Sequence, residues 1–575
     1  MQDATIQYPI QSRRCRMLAA WLLSAVSMLA APAWAQVDSV AQELRRQQER
    51  ERALREQQEA IPDVQLQAAS QDLADRLPAS ESPCFDIQRI VLEGEAATPF
   101  SWAPAAADPP GDRATGRCLG TEGVNLTLKR IQNAVIARGY VTTRVVAAPQ
   151  DLNSGTLTLT VVPGRVRSVR FEGDEGGFPS WRNALPMRAG DLLNLRDIEQ
   201  ALENFQRLPS VIADIQIVPA GDDAAPGESD LVIAWSQSSH LRAHLTLDDA
   251  GSRSTGKLQA GGTVSIDNGL GWNDLFYVNV GHGVFNGDGN STNSWTAHFD
   301  VPRGHWLLGA TAGSYDYRQT VAGAYESYAY SGTSDNAELR VARGIFRNST
   351  ARTGAYGRAW WRQSDNFIDD TEVLVQRRRT AGWEVGLTHR QFVGRTTLDA
   401  GVAYRRGTGA FNALPAPEEA FGEGTSRLKL MTADLRLTVP FQVAQQQLRY
   451  TGSWRAQWNR TPLVPQDRFA IGGRYTVRGF DGEVSLSGER GWLLRNDIAL
   501  SLGGRHEAYV GVDYGHISGP SAQWQLGDYL AGAVLGLRGA AGHASWELFV
   551  GAPVREPDGF PSAYTTTGFN LGWSY

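Results

Sequence analysis

The sequence predicts an exported protein with a charged N-terminal helix, two small α+β modules and a C-terminal antiparallel β-barrel that crosses a membrane. Three observations predict this architecture. A secretory signal opens the chain, a motif recurs after 79 residues in the first half, and residues 238–575 consist of segments of alternating polarity. Each part is justified in turn below.

The composition excludes several classes of protein. A net charge of −6 gives no electrostatic footprint for nucleic acid, and three cysteines are too few for a disulfide-dense scaffold. The mean hydropathy is −0.32, and no apolar run after residue 36 approaches the ~18 residues of a spanning helix. Zinc-protease, phosphate-loop and nucleophile-elbow motifs are absent from the sequence. We therefore predict no enzyme activity, no cofactor and no metal site.

Residues 1–35 have the parts of a cleaved signal peptide. Basic residues precede the apolar run Met17–Ala31, and the small-x-small pattern Ala33–Trp34–Ala35 follows it. A membrane anchor is the alternative, but a run of ~15 residues is short for a span. Cleavage leaves Cys84 and Cys118, an even pair in an exported chain, which we predict to form a disulfide. Two free thiols are the alternative.

A charged helix is predicted in residues 36–60, followed by a linker over residues 61–82. Residues 41–60 contain five arginines, five glutamates and neither glycine nor proline. Pairs of opposite charge four residues apart, such as Glu51 and Arg55, support a helix. A helix that is polar on all sides is either a solvated spacer or lies in a wet environment, such as a water-lined pore. The composition leaves both readings open.

Two modules, residues 83–163 and 164–237, form an internal repeat. The pattern Ile-x-x-Ile-x-Leu-Glu-Gly at residue 87 recurs as Val-x-x-Val-x-Phe-Glu-Gly at residue 166. Each copy then has an amphipathic helix and closing strands of alternating polarity. The apolar helix positions are Val124, Leu128, Ile131 and Val135 in the first copy, and Leu195, Ile198, Leu202 and Phe205 in the second. Asn194 stands where the second helix needs an N-cap.

Residues 238–575 predict a transmembrane β-barrel. The chain ends with aromatic or aliphatic residues at every second position, Phe569, Leu571, Trp573 and Tyr575. Twelve of the 17 tryptophans lie in this region, as aromatic girdles require. The alternative is a soluble β-sandwich or propeller. The signal peptide and the lack of a blade-length repeat disfavour it.

One motif stands apart from the rest of the barrel sequence. Val477-Arg478-Gly479-Phe480 lies in a glycine-rich segment, and about thirty residues later Asp513 lies within a strand-like stretch. An arginine and an aspartate held in a barrel lumen are natural partners, since each is costly to bury alone. A solvent-exposed turn arginine and an ordinary lumen aspartate are the alternative.

With these motifs the chain resembles the TpsB outer-membrane transporters of two-partner secretion, in the superfamily of the BamA assembly factor. Cys84-Phe85, Arg117-Cys118-Leu119 and the stretch 138–143 resemble the first POTRA domain of that family, and the stretches 195–200 and 208–210 resemble the second. Val477-Arg478-Gly479-Phe480 matches the tip of the lumen-inserted sixth loop, around residues 470–490, and Asp513 matches the wall acid that the tip contacts.

The resemblance implies a 16-stranded barrel in the outer membrane of a Gram-negative bacterium, with two periplasmic POTRA domains and a helix that plugs the pore. The implied partners are outer-membrane lipid and a large TpsA-type exoprotein: a haemolysin, an adhesin or a contact-dependent toxin. We expect a monomer that binds the exoprotein's N-terminal secretion domain beside helix 195–208, through Leu195, Ile198, Leu202 and Phe205, and exports it unfolded. An assembly factor for outer-membrane barrels is the alternative, and a passive porin or receptor is a more distant one.

Overall fold

The computed structural model describes residues 41–59, 62–66, 76–173, 179–287, 289–322 and 325–575. Helix α1 covers residues 41–58. The predicted signal peptide lies outside the described residues. Within the ranges given above, no helix is both long and apolar enough to cross a membrane.

The first α+β module places helix α2, Thr121–Ala137, on a three-stranded sheet. Its strands are β1 Phe85–Ile87, β2 Arg89–Glu93, β3 Arg117–Leu119, β4 Arg144–Val146 and β5 Thr156–Val162, of which β2, β5 and β4 form the sheet and β1 pairs with β3. Gly120 precedes α2 without a side-chain cap. Instead, the distant Glu81 carboxylate accepts hydrogen bonds from the first N–H groups of α2, where an acidic group complements the helix dipole.

Sequence predicted the core face of α2 only in part. Ile131 and Val135 are buried as expected, but Val124 and Leu128 are half-buried, and Leu126 takes a core position instead. Val124 and Leu128 still pack against this core, but at its margin. The predicted disulfide between Cys84 and Cys118 is confirmed. It closes a loop with a sequence separation of 34 residues.

The second α+β module repeats this topology. Its elements are β6 Arg165–Phe171, α3 Trp181–Ala184, α4 Leu195–Gln206, β7 Val211–Pro219 and β8 Glu228–Gln237. As β2 does with β5 in the first module, β6 pairs in parallel with β8. The Asn194 side chain accepts a hydrogen bond from the Arg196 N–H, which confirms the predicted N-cap of α4.

A closed antiparallel barrel follows, and the predicted number of sixteen long strands is confirmed. The strands are β9 Leu241–Asp248, β10 Leu258–Asp267, β11 Leu275–Val284, β12 Ser291–Arg303, β13 Trp306–Ala322, β14 Ser327–Arg347, β15 Ala351–Ile368, β16 Arg378–Val393, β17 Thr396–Thr408, β18 Lys429–Val443, β19 Gln446–Asn459, β20 Arg490–Gly503, β21 His506–Ser518, β22 Tyr529–Ala541, β23 Ala544–Arg555 and β24 Thr566–Ser574.

The barrel closes where β24 pairs with β9, over five positions from Asn570–Asp248 to Ser574–His244. Side chains alternate along each strand as predicted: in β12, His298 and Asp300 are buried towards the lumen, whereas Trp295 is exposed on the outside. Most turns at the module end of the barrel have only two or three residues, whereas the loops at the other end are longer. The longest of these, residues 460–489 between β19 and β20, is called the sixth loop below.

Candidate functional site: a lumen closed by a helix and a loop

Helix α1 lies inside the barrel and is held by polar contacts to several parts of the wall. Arg50 pairs with Asp248 of β9 at 3.0 Å, and Arg55 pairs with Glu338 of β14 at 2.6 Å. Charged residues on all faces of the helix therefore meet a charged or wet wall, and the pore-filling reading of the sequence is confirmed. The solvated-spacer reading is wrong.

The far wall holds the helix in the same way. Glu49 accepts two hydrogen bonds from the Arg455 guanidinium of β19, at 2.6 and 3.0 Å. The helix makes fewer apolar contacts: Leu44 packs in a cluster of tyrosines, and Leu54 packs against the cluster that includes Tyr277. The side chains of these ion pairs are only 11–26% exposed, and their net contribution is small because the desolvation of both charges offsets their attraction. Such a helix can leave the lumen without exposing a large apolar surface.

The tip of the sixth loop is fixed to the wall by Arg478. Its Nε donates to Asp513 Oδ2 at 2.7 Å, and its Nη2 donates to Asp513 Oδ1 at 2.8 Å and to Asp497 Oδ1 at 2.6 Å. The Arg478 backbone N–H donates to the same Asp513 carboxylate at 3.0 Å. Asp513 is fully buried, so its charge depends on this fork of donors. The predicted pair is therefore in contact, and neither residue is the isolated one of the alternative reading.

Small residues on the wall let the loop tip approach the strands. A Cβ atom on Gly532 would lie 1.8 Å from the Arg478 carbonyl oxygen. Gly479 itself has a φ of +98°, which side-chain-bearing residues rarely adopt, and a Cβ there would lie 2.5 Å from the Ala552 carbonyl oxygen. Phe480 is buried beside Phe560, with the ring planes at 82°. Arg478 thus binds the wall, Gly479 allows the close approach of the backbone, and Phe480 packs in a buried aromatic contact.

The helix and the loop also contact each other. The Gly482 carbonyl oxygen accepts hydrogen bonds from Gln42 Nε2 at 2.9 Å and from Arg46 Nη2 at 2.7 Å. A second arginine of the loop, Arg474, donates to Asp249 at 2.9 Å and to the Phe569 carbonyl oxygen of β24. The loop therefore joins α1 to the barrel seam, and displacement of either obstruction breaks contacts of the other.

The four residues Leu195, Ile198, Leu202 and Phe205 are placed differently from the sequence-based expectation. They are between 0% and 7% exposed and form the core face of α4 against its own sheet. They cannot contact a substrate without unfolding the module. The prediction that these side chains bind the exoprotein is therefore wrong, because an apolar helix stripe in a small domain is needed for the domain's own core.

The polar face of α4 binds the barrel rim. Asn204 Nδ2 donates to the Gly304 carbonyl oxygen in the turn between β12 and β13, at 2.8 Å. Glu203 accepts hydrogen bonds from Arg347 and from Arg352, the latter at 2.6 Å. Arg207 pairs with Asp300 of β12. Both faces of α4 are thus occupied, one by the module's core and the other by the barrel.

The segment between α1 and the first module also lies in this junction. The Leu66 N–H donates to Glu199 of α4 at 2.7 Å, and its carbonyl oxygen accepts from Arg196 at 3.3 Å. Burial raises the pKa of Glu199 against the opposing effect of these donors. Asp63 accepts from Arg352 at 3.2 Å. The chain that leads to the lumen helix is therefore held directly on the second module.

Three protein-family models match most of the chain. The model of the haemolysin secretion/activation proteins ShlB/FhaC/HecB matches residues 227–539. A POTRA-domain model of the ShlB type matches residues 85–164, and a second POTRA-domain model matches residues 165–219. The chain belongs to the ShlB/FhaC/HecB family. Its two α+β modules are POTRA domains, as the resemblance implied.

Individual relatives agree with this assignment. The outer membrane transporter CdiB-2 of Burkholderia pseudomallei is 36% identical over 542 residues, covering 91% of this chain and 92% of the relative. The haemolysin transporter ShlB of Serratia marcescens is 22% identical, covering 76% of each chain. The solved structure of CdiB from Acinetobacter baumannii has a TM-score of 0.82 at 31% identity, covering 94% of this chain and 99% of that one.

Membership of this family establishes the cellular compartment and the general function of the protein. The protein is a two-partner secretion transporter of the outer membrane, with its POTRA domains in the periplasm, and its family consists of transporters rather than enzymes. The short turns therefore face the periplasm, and the sixth loop enters the lumen from the cell surface. In the described part of the chain, no group of three or more histidine, cysteine or acidic side chains is placed to hold a metal.

Proposed function

We propose that the protein recognises the N-terminal secretion domain of a large exoprotein through its POTRA domains and exports that exoprotein unfolded through the barrel. The observation that carries the proposal is that the lumen helix α1 leads, within a few residues, into a segment bound to the second POTRA domain. Residues 41–58 close the lumen while Asp63 and Leu66, a few residues later, lie on the second POTRA domain and the barrel rim.

The lumen supports passage of an extended chain. A cavity of about 780 Å³ remains beside α1 and the sixth loop, and more of its lining is polar than apolar. Removal of the helix together with displacement of the sixth loop would widen it to a water-filled path along the barrel axis. An unfolded polypeptide suits such a path because its backbone groups remain hydrated in a polar channel.

The free edge of the second POTRA sheet is the surface that supports recognition. Strand β7 lies at one edge of the sheet order β6-β8-β7, and its Ile212 side chain is 75% exposed. Extended polypeptides bind such edges as an additional strand, with backbone hydrogen bonds for affinity and side-chain contacts for specificity. A glutamine of each module's own helix partly caps the edge strand: Gln206 Nε2 donates to the Ala213 carbonyl oxygen of β7, and the Val145 N–H of the shorter edge β4 donates to Gln132.

Site-specific photo-crosslinking tests this proposal. A photoreactive amino acid at Ile212 should capture the secretion domain of the exoprotein encoded with this chain, in cells that are exporting it. The same amino acid at Lys129, exposed on the outer face of α2, is the control and should capture far less. Equal capture at both positions, or no capture at Ile212 during active export, would contradict recognition at this edge.

A further inference from the structure

The barrel wall has a cluster of arginines on one side of the lumen. Arg340 of β14, Arg358 and Arg362 of β15, Arg405 of β17 and Arg455 of β19 all line the central cavity. They are called the arginine wall below. Arg340 and Arg358 are direct cross-strand partners, a pairing of like charges that destabilises a sheet unless something offsets it.

The carboxylates of the wall only partly offset this charge. Glu338 and Glu384 both pair with the same residue, Arg358, at 3.1 and 2.6 Å. Arg405 has its nearest carboxylate, Asp467, at 3.8 Å, and its guanidinium lies over the Trp360 ring. Arg340 lies over the Tyr356 ring. Among the described residues, Arg340 and Arg362 form no ion pair within 4.0 Å.

Helix α1 shows what this side of the lumen binds. Glu49 binds Arg455 with both carboxylate oxygens, and Glu56 approaches the neighbouring Arg436 of β18 at 3.7 Å. On the opposite side of the lumen, Arg50 of the helix pairs with Asp248. On the arginine-wall side, Arg55 of the helix also pairs with Glu338. When the helix leaves, this side therefore loses two carboxylates and one guanidinium, whereas the opposite side loses a guanidinium. The open pore would then have a charge difference across its width.

We propose that the arginine wall is a carboxylate-binding track for the exported polypeptide. Acidic side chains of the moving chain replace Glu49 and Glu56 of the departing helix and form successive guanidinium–carboxylate contacts. Because partly hydrated pairs of this kind are individually weak, they orient the chain without trapping it. This inference rests on the proposed export function, and it names acidic segments of an unfolded polypeptide as the ligand.

Current block in planar bilayers tests the track with a defined probe. Full-length protein is reconstituted, and decaglutamate or decalysine is added to the periplasmic side. Decaglutamate should reduce the open-state current at concentrations where decalysine does not. The triple variant R340Q/R362Q/R405Q should weaken the decaglutamate block about tenfold, equivalent to ~1.4 kcal/mol. The matching triple Lys variant, which keeps the charges, should retain most of the block.

Control variants separate the track from general loss of positive charge. Arg343, Arg406 and Arg490 are exposed, and R343Q/R406Q/R490Q should leave the block unchanged. Heat-modifiable electrophoretic mobility confirms that each variant barrel is folded. Should the full-length pore remain closed, the same series is measured after deletion of residues 41–58. Equal block by both peptides, or undiminished block of R340Q/R362Q/R405Q, would overturn the inference.

The outcome is independent of the export proposal. If the wild-type protein exports no exoprotein in cells but decaglutamate block depends on the arginine wall, the proposed function fails and the carboxylate site stands. If export occurs and the block does not depend on the wall, the track fails and the proposed function stands.

Discussion

Replacement of Arg478 by alanine should release the tip of the sixth loop from the barrel wall. The substitution removes three side-chain hydrogen bonds to Asp513 and Asp497 and leaves the fully buried Asp513 with Arg495 at 3.8 Å as its remaining cation. Loss of one partner of a buried ion pair costs ~3–5 kcal/mol, and Arg495 places this case near ~3 kcal/mol. That energy shifts the equilibrium between inserted and displaced loop by about 100-fold.

Thiol labelling of intact cells measures this shift. Val477 is fully buried beside Arg478, so V477C should react slowly with a membrane-impermeant maleimide while the loop is inserted. Adding R478A should raise the labelling rate about 100-fold, in proportion to the displaced population. R478K, which keeps the charge but loses the guanidinium fork, should lie between the two. R406A in the V477C background is the control.

The export phenotype should follow the labelling. We expect R478A to reduce exoprotein export while the amount of folded barrel stays constant. A labelling rate unchanged by R478A would refute the reasoning on energetics. A raised rate with undiminished export would remove the loop contact from the transport mechanism.

Three further predictions concern other parts of the chain. G532A should raise V477C labelling because its Cβ would overlap the Arg478 carbonyl oxygen, whereas G357A, with no atom within 4 Å, should have no effect. Hydrogen bonds from Arg130, the Leu77 N–H and Arg117 lower the pKa of Asp112 to about 2. Ionised Asp112 therefore stabilises the first POTRA domain at pH values above its ordinary pKa of ~3.9, and this stabilisation is lost as the pH falls towards 2. Pepsin cleavage of that domain should therefore rise from pH 4 to pH 2, and D112N should be cleaved readily throughout. E203Q weakens hydrogen bonds to two arginines, each contributing ~1.5–3 kcal/mol, and should broaden spin-label distances between the second POTRA domain and the barrel.

Each of these has a result that contradicts it. Equal labelling of G532A and G357A would mean that the loop tip does not depend on its close approach to the wall. Parallel pepsin profiles of wild type and D112N would remove the proposed acid dependence. Unchanged distance distributions in E203Q would show that other contacts alone hold the junction.

The architecture was predictable because its signals are local and repeated. Period-two alternation fixes which barrel side chains face lipid, and the shared pattern at residues 87 and 166 fixes the two modules. The Arg478–Asp513 pair was predictable because a buried charge needs a partner and the family resemblance matched both residues.

The junction and the lumen network were not predictable, because they depend on contacts between distant segments. No periodicity relates Glu203 to Arg352, or Arg474 to Phe569. The substrate prediction for α4 failed for a related reason: an apolar helix stripe looks the same whether it faces a core or a groove. Only the position of the sheet and the barrel rim showed that Leu195 and its partners are inaccessible.

The central claim is dedicated export of one exoprotein, and quantitative mass spectrometry of culture supernatant and outer membrane, with and without this chain, tests it most directly. We predict the loss of one or two very large secreted or surface proteins, with other outer-membrane barrels unchanged. A broad fall in many barrel proteins would instead identify an assembly factor and contradict the proposed function.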